Sequence, residues 1–418
     1  MLRTVLFVIF TFIFATTVFS QRTCGTVENY NQQILKNPLL QKQFEDAAKA
    51  ISNRCDLTKR SALVVVTIPV VVHVIHNNEA IGTGTNISDA QIQSQIDILS
   101  KDFRLLNPDS LLPSHPFWPY TCDVLIQFCL ARQTPGGQPS TGIERIYGGL
   151  DWSMSDAATI LKPQTIWDPS RFLNLWTVDW GSANPDLLGF AQFPGGPDST
   201  DGVVIGYTYF GNTGTVSSPF NLGRTATHEI GHWLGLQHIW GDATCGDDFI
   251  ADTPPQVSDN ANCPTFPRRP FNSCGSDANG EMFMNYMDYV DDRCMVMFTY
   301  EQAVRMNSTL YGTRASLITS NGCSTPNPGI SENEVFGQKI SLYPNPTSGH
   351  IKIRLAENSS ESLNIILTDV LGRSIKHFTI VNAQESMDFD LSEFGSGSYF
   401  LQFYQNGLST IKKINLIK

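Results

Sequence analysis

Charge is scarce in this chain, and basic charge scarcer still. Of 418 residues only 16% are Asp, Glu, Lys or Arg, and 28 basic residues stand against 39 acidic ones, a net of −11. That balance excludes a general phosphate-binding surface, and nucleic acid with it as a partner. Long apolar runs are also missing. The one candidate, Val5 to Phe14, is broken by Thr11 and followed by Thr16 and Thr17, too short against the roughly 20 residues that span a bilayer. With a single charge at Arg3 and a small residue at Ser20, residues 1–20 read as a secretory signal peptide. The expectation is a protein secreted or attached to the outer cell surface, with no transmembrane segment once the signal is removed. No internal repeat is present, which excludes a solenoid.

What the chain does have is apolar material, 41% of it, enough for two to four globular domains at one per roughly 100 to 200 residues. The acidity is uneven: residues 21–60 carry seven basic and four acidic residues, whereas 61–330 carry 12 and 26. A basic leader precedes an acidic middle. Nine cysteines are present, and an exported protein can pair them. Cys245, Cys263, Cys274 and Cys294 lie in a stretch rich in Pro, Gly, Asn and Asp, where two bridges are expected; spacing leaves all three pairings open.

Apolar periodicity predicts a helix over Gln32 to Ile51, a strand buried on both faces over Leu63 to His76, and a helix opened by Ser88-Asp-Ala-Gln91 with Ile92, Ile96, Leu99 and Phe103 on one face. Strands are expected at Val124–Ala131, Phe172–Val178, Phe190–Phe193 and Val203–Tyr209, and helices near Arg224–Leu234 and Thr299–Leu310. That order is an α/β beginning. Residues 324–333 have linker composition, and the short strands beyond them predict a small β-sandwich.

Residues 228–238 read His-Glu-Ile-Gly-His-Trp-Leu-Gly-Leu-Gln-His. On a helix, His228 and His232 share a face and can take one Zn²⁺. Gly235 can take a left-handed conformation that turns the chain and brings His238 to the same ion. Three protein ligands leave a fourth position for water, whose pKa the metal lowers toward about 7, and Glu229 stands beside it to take the proton. At ordinary residue frequencies the five fixed positions occur by chance in on the order of one chain in 10⁵. The remaining histidines lack such spacing.

This extended motif resembles the metzincin metallopeptidases, and its flanks are similar to the pappalysin family, over about Ser61 to Cys323. The resemblance implies a metzincin fold, a mixed sheet with an active-site helix and an irregular C-terminal subdomain. It implies that Asn285-Tyr-Met-Asp-Tyr289 is the family's Met-turn, with Met287 flooring the zinc and Tyr289 hydrogen-bonding the tetrahedral intermediate as a phenol donor. It implies Asp292 at the base of the pocket for the residue after the scissile bond, where a carboxylate selects Arg. It implies calcium near Asp248 and the Thr253 carbonyl, the pairings Cys245–Cys274 and Cys263–Cys294, and a rim strand at Gly189–Phe193 that takes substrate as an added strand.

Arg22-Thr-Cys24-Gly resembles the cysteine switch of metzincin zymogens, in which the Cys24 thiolate holds the open zinc position; a Cys24–Cys55 disulfide is the competing use. Release is expected at Lys59-Arg60-Ser61. Ser341–Gly349, Val370–Arg373 and Gly397–Tyr399 are similar to the sorting domains of type IX secretion, which makes that machinery a partner. The expected plan is signal peptide 1–20, pro-segment 21–60, catalytic domain 61–323, linker 324–335 and sorting sandwich 336–418. The expected function is a secreted zinc endopeptidase acting on protein or peptide substrates; a surface adhesin keeping a zinc-binding fold is the rival, and retention of Glu229 speaks against it.

Overall fold

The computed structural model describes residues 22–52, 64–182, 184–275, 278–326, 336–356, 358–370 and 372–418, with the side chains of 47–52 outside that set. The signal reading, Cys55 and the Lys59–Arg60 release point lie outside the described residues. Two compact units emerge, Met1–Pro326 and Asn327–Lys418, each with its own apolar core.

The first unit is organised by one strand. β2 (Val66–His76) is buried from Ile68 to Ile75, as expected of a β-branched run covered on both faces. β3 (Ile126–Leu130) pairs with its first half, β4 (Ile143–Tyr147) with its second and β5 (Leu173–Val178) with its middle, all parallel. β7 (Val203–Gly206) continues parallel to β5, and β6 (Leu187–Ala191) runs antiparallel to β7. Beyond β6 the N-terminal segment adds β1 (Thr23–Cys24) in parallel, completing a seven-stranded mixed sheet.

Where one N-terminal helix was expected over 32–51, two form, α1 (Thr26–Lys36) and α2 (Leu39–Ser52). Asn37 is extended, the conformation that the following Pro38 imposes. α3 (Asp89–Phe103) is capped by Ser88, whose hydroxyl accepts from Gln91 N; the Gln91 side chain donates to the Tyr207 and Phe210 carbonyls instead of closing a capping box. A helical passage follows β4: α4 (Met154–Asp156), a π turn (Ala157–Leu161) and α5 (Lys162–Thr165). The chemistry-bearing helix is α6 (Arg224–Trp233), and α7 (Tyr300–Leu310) closes the unit behind a Thr299/Gln302 capping box.

Between α6 and α7 the described chain holds only a 3₁₀ turn at Asp292–Cys294. Disulfides staple it, Cys245 to Cys274 and Cys263 to Cys294, and a third, Cys129–Cys323, ties β3 to the end of the unit across 194 residues.

The second unit packs two antiparallel sheets. β8 (Ile340–Tyr343), β9 (His350–Leu355) and β12 (Ser386–Asp390) form one; β10 (Leu363–Thr368), β11 (Ser374–Ile380), β13 (Gly397–Gln405) and β14 (Leu408–Leu416) form the other. Ile351, Ile353 and Leu355 alternate inward along β9, the period-2 pattern of a half-buried strand.

Candidate metal centre and catalytic cleft

Every residue of α6 is buried, and two glycines fit it into place. A Cβ on Gly231 would stand 2.5 Å from Met287 Sδ, so any larger residue there would push the Met287 side chain aside. After Leu234, Gly235 takes φ 90°, the left-handed region that reverses the chain and returns His238 toward the helix.

His232 Nε2 lies 3.1 Å from both His228 Nε2 and His238 Nε2. Each Nδ1 has its own acceptor: the Tyr286 carbonyl at 2.7 Å for His228, the Leu236 carbonyl at 2.8 Å for His232, and Asp242 Oδ1 at 2.6 Å for His238. The Nδ1 atoms therefore carry the protons, and three Nε2 lone pairs converge on one point. Burial and the neighbouring rings hold His228 and His232 far below the usual imidazole range, so those two rings stay neutral and electron-rich. That donor set fits Zn²⁺. Cys24 Sγ joins it, and the four ligand atoms lie within 4.8 Å of one another.

Glu229 is fully buried beside the histidines, and burial pushes its carboxyl up to about 7, where a carboxylate can both take and return a proton at neutral pH. Met287 is fully buried under the cluster. The Tyr289 ring packs on His228, His238 and Trp240 at 5.7, 5.0 and 4.7 Å, and its phenol oxygen accepts from Cys24 N at 3.2 Å.

The family model described as pregnancy-associated plasma protein-A, peptidase M43, matches residues 159–311, and that of the secretion-system C-terminal sorting domain matches 341–417. An extracellular metalloprotease of Pyricularia oryzae is 30% identical over 304 residues, covering 72% of this chain and 93% of the relative. A mutant of promirolysin from Tannerella forsythia superimposes with a TM-score of 0.61 at 40% identity, over 71% of this chain and 97% of that one. Mature mirolysin in complex with a cleaved peptide does so with 0.56 at 42% identity, over 64% and 100%. The chain is a zinc metallopeptidase of the pappalysin (M43) family. It is a secreted or cell-surface protein bearing a type IX sorting sandwich.

In this pappalysin the N-terminal segment fills the cleft. Gly25 N donates to the Gly189 carbonyl on β6 at 2.9 Å. The Thr26 hydroxyl donates to Glu229 Oε2 at 2.8 Å and accepts from Ala191 N at 2.8 Å. Cys24 Sγ stands 3.4 Å from the same Oε2. Arg22 is buried, pairs with Asp292 and lies over the Phe220 ring at 4.9 Å. Asp292 is itself fully buried and accepts from Leu222 N at 2.8 Å and Arg224 N at 3.3 Å. The rim strand ends at Ala191, so Phe193 falls just outside the strand expected over 189–193.

Asp248 is buried, its carboxylate accepting from the Thr253 hydroxyl at 2.9 Å and Ile250 N at 3.1 Å. Burial pushes that carboxyl up to about 7. Asp252 instead caps α7 through Thr299 Oγ1 and Glu301 N.

Sequence reasoning missed three contributors. Thr26 and Asp242 reach Glu229 and His238 with no motif of their own. Arg224, first residue of α6, pairs with Asp102 at 2.9 Å and Asp109 at 2.8 Å, donates to the Tyr286 hydroxyl and to the Met295 carbonyl at 3.1 Å, and so ties helix to Met-turn. Its partners lie far off in sequence, and the sole local signal was an Arg at a helix start.

Proposed function

We propose that this metallopeptidase is made as a latent zymogen, is exported by the type IX machinery, and cuts protein chains on the amino side of Arg or Lys. The carrying observation is Arg22 against Asp292: the N-terminal segment already seats a guanidinium in a pocket whose base is a buried carboxylate. A substrate Arg following the scissile bond meets the same charge-assisted pairing. Arg22 precedes Cys24, whereas the substrate Arg follows the bond to be cut, so the segment lies in the cleft with reversed polarity and offers no scissile bond in register. Cys24 at the histidines, Thr26 on Glu229 and the contact with Tyr289 close the remaining reactive positions.

Once the segment leaves, His228, His232 and His238 hold the zinc, which when bound supplies Lewis acidity. Glu229 takes the proton of the attacking water and passes it to the leaving amine nitrogen. The Tyr289 hydroxyl donates to the oxyanion that develops on the carbonyl carbon's oxygen, and Asp292 holds the guanidinium. A cut between Lys59 and Arg60 fits the same preference and makes self-release part of the proposal.

Purified chain and its variants, assayed on a mixed peptide library, test this. Cys24→Ser is expected to be active before leader removal, Glu229→Ala to lose roughly 10²- to 10⁴-fold, and Asp292→Asn to lose the Arg preference. An unchanged preference in Asp292→Asn would remove the pocket assignment. Calcium at Asp248 and the Thr253 carbonyl is proposed with it, since a buried carboxylate with neutral partners gains from a bound cation. Calcium should raise the melting temperature of the native chain and not of Asp248→Asn; equal shifts would exclude this site.

A further inference from the structure

The cleft has a second built recess, on the opposite side of the histidines from Asp292. Phe193 lies two residues beyond the end of the rim strand, and its ring stands edge-on to His232 with centroids 5.5 Å apart. With Pro194, Gly235, Gln237 and the charged Asp242 and Arg305 it forms the catalytic-unit wall of a cavity of about 290 Å³ whose other wall is the N-terminal segment. Tyr30 of α1 lines the same cavity and stands edge-on to Phe193 at 5.9 Å and 86°, and to Phe44 of α2 at 4.8 Å and 70°. Along the segment, Arg22 at Asp292, Cys24 at the histidines and Tyr30 at Phe193 mark three successive stations.

We infer that Phe193, with Pro194 and Gly235 beside it, is a specificity subsite for an aromatic side chain on the amino side of the scissile bond. The inference rests on the reading of Asp292 as the pocket for the residue after that bond, which fixes which side of the zinc is which. An extended substrate takes the edge of β6 that Gly25 and Thr26 now occupy through Gly189 O and Ala191 N. Continuing past Ala191, it reaches Phe193, and the Gly235 position has no side chain to fill the space. Edge-to-face geometry is the arrangement aromatic rings prefer, and Tyr30 packs on Phe193 in that geometry. Specificity before the bond is thus aromatic and specificity after it cationic.

The test uses matured enzyme and peptides with Arg fixed after the scissile bond, each of the second, third and fourth residues before it varied in turn among Ala, Glu, Phe and Tyr. One position is expected at which Phe or Tyr raises kcat/KM about fivefold or more over Ala, chiefly through KM. In Phe193→Ala that ratio should fall to near one, and in Phe193→Leu to an intermediate value; zinc content and melting temperature show that each variant is folded. No aromatic advantage above twofold at any position, or an advantage that survives Phe193→Ala, would overturn the inference. A second series with Ala in place of that Arg keeps the two readings apart: equal cleavage with the aromatic ratio intact would strike Asp292, and with it the placing of the Phe193 subsite on the amino side, while leaving the aromatic contact with Phe193.

Discussion

Of the three imidazoles, His238 alone is oriented by a side chain. His228 and His232 are held by backbone carbonyls, whereas His238 Nδ1 meets the Asp242 carboxylate at 2.6 Å and its ring stacks on Trp240 at 4.4 Å and 7°. A carboxylate partner fixes the tautomer and makes the imidazole a stronger donor to metal. Asp242→Asn should therefore weaken zinc binding by roughly 10- to 100-fold in competition with a chelator, read on a Cys24→Ser background so that thiol ligation does not intrude; unchanged affinity would show that Trp240 and packing suffice. The histidines were legible because their spacing is a property of one short segment. Asp242 and Thr26 were not: an Asp in a glycine-rich turn and a Thr at the first position of a helix are ordinary surface residues until the chain folds, and what makes them matter is contact across a turn or across two hundred residues.

At the scale of elements, the Met-turn is positioned by buried polar groups that no periodicity reveals. Asp288 is fully buried and accepts from Asn260 N at 2.7 Å, Asn260 Nδ2 at 3.0 Å, Gln256 Nε2 at 2.9 Å and Tyr289 N at 2.7 Å, joining the loop after α6 to the backbone of Tyr289. Burial raises its carboxyl to about 7, and the groups that oppose the shift, Asn260, Gln256 and the Tyr289 amide, are neutral. A carboxyl raised on folding contributes its full stability below the unfolded pKa near 4 and loses it as pH climbs through the folded value. Thermal unfolding between pH 5 and 8 should then show the native chain losing stability relative to Asp288→Asn, by on the order of a few kcal/mol at most; parallel curves would exclude the effect.

Elements with strong periodicity came through the sequence well: β2, α3, α6 and α7 stand within a few residues of their expected bounds. Those that escaped lacked such a pattern. β4 is Ile-Glu-Arg-Ile-Tyr, charged at its centre, and the stretch from Met154 to Thr165 carries a π turn and a Pro. The split between α1 and α2 was written at Asn37-Pro38 but outweighed by the apolar spacing on either side.

For the whole molecule, each of the two units has an apolar core of its own residues. A chain ending at Pro326 should fold, bind zinc and cleave peptides with kcat/KM within about twofold of the full chain once matured, while losing export. A truncated chain that fails to fold would show that the sandwich supports the catalytic unit. The unit boundary was legible as a change of composition near residue 324, and the sorting sandwich as alternating short strands. The bond between Cys129 and Cys323 was not, because 194 residues separate its ends and both sit among unremarkable neighbours.

That bond decides how the enzyme ages among its own kind. A peptidase at working concentration is exposed to copies of itself, and the long loops between α6 and α7 are natural places for a nick. With Cys129 and Cys323 joined, a single cut anywhere between them leaves both fragments on one covalent framework, and the two smaller bridges do the same for cuts within 245–274 and 263–294. A nicked molecule therefore migrates as one species until a reductant is added, and damage to the backbone is decoupled from loss of the fold.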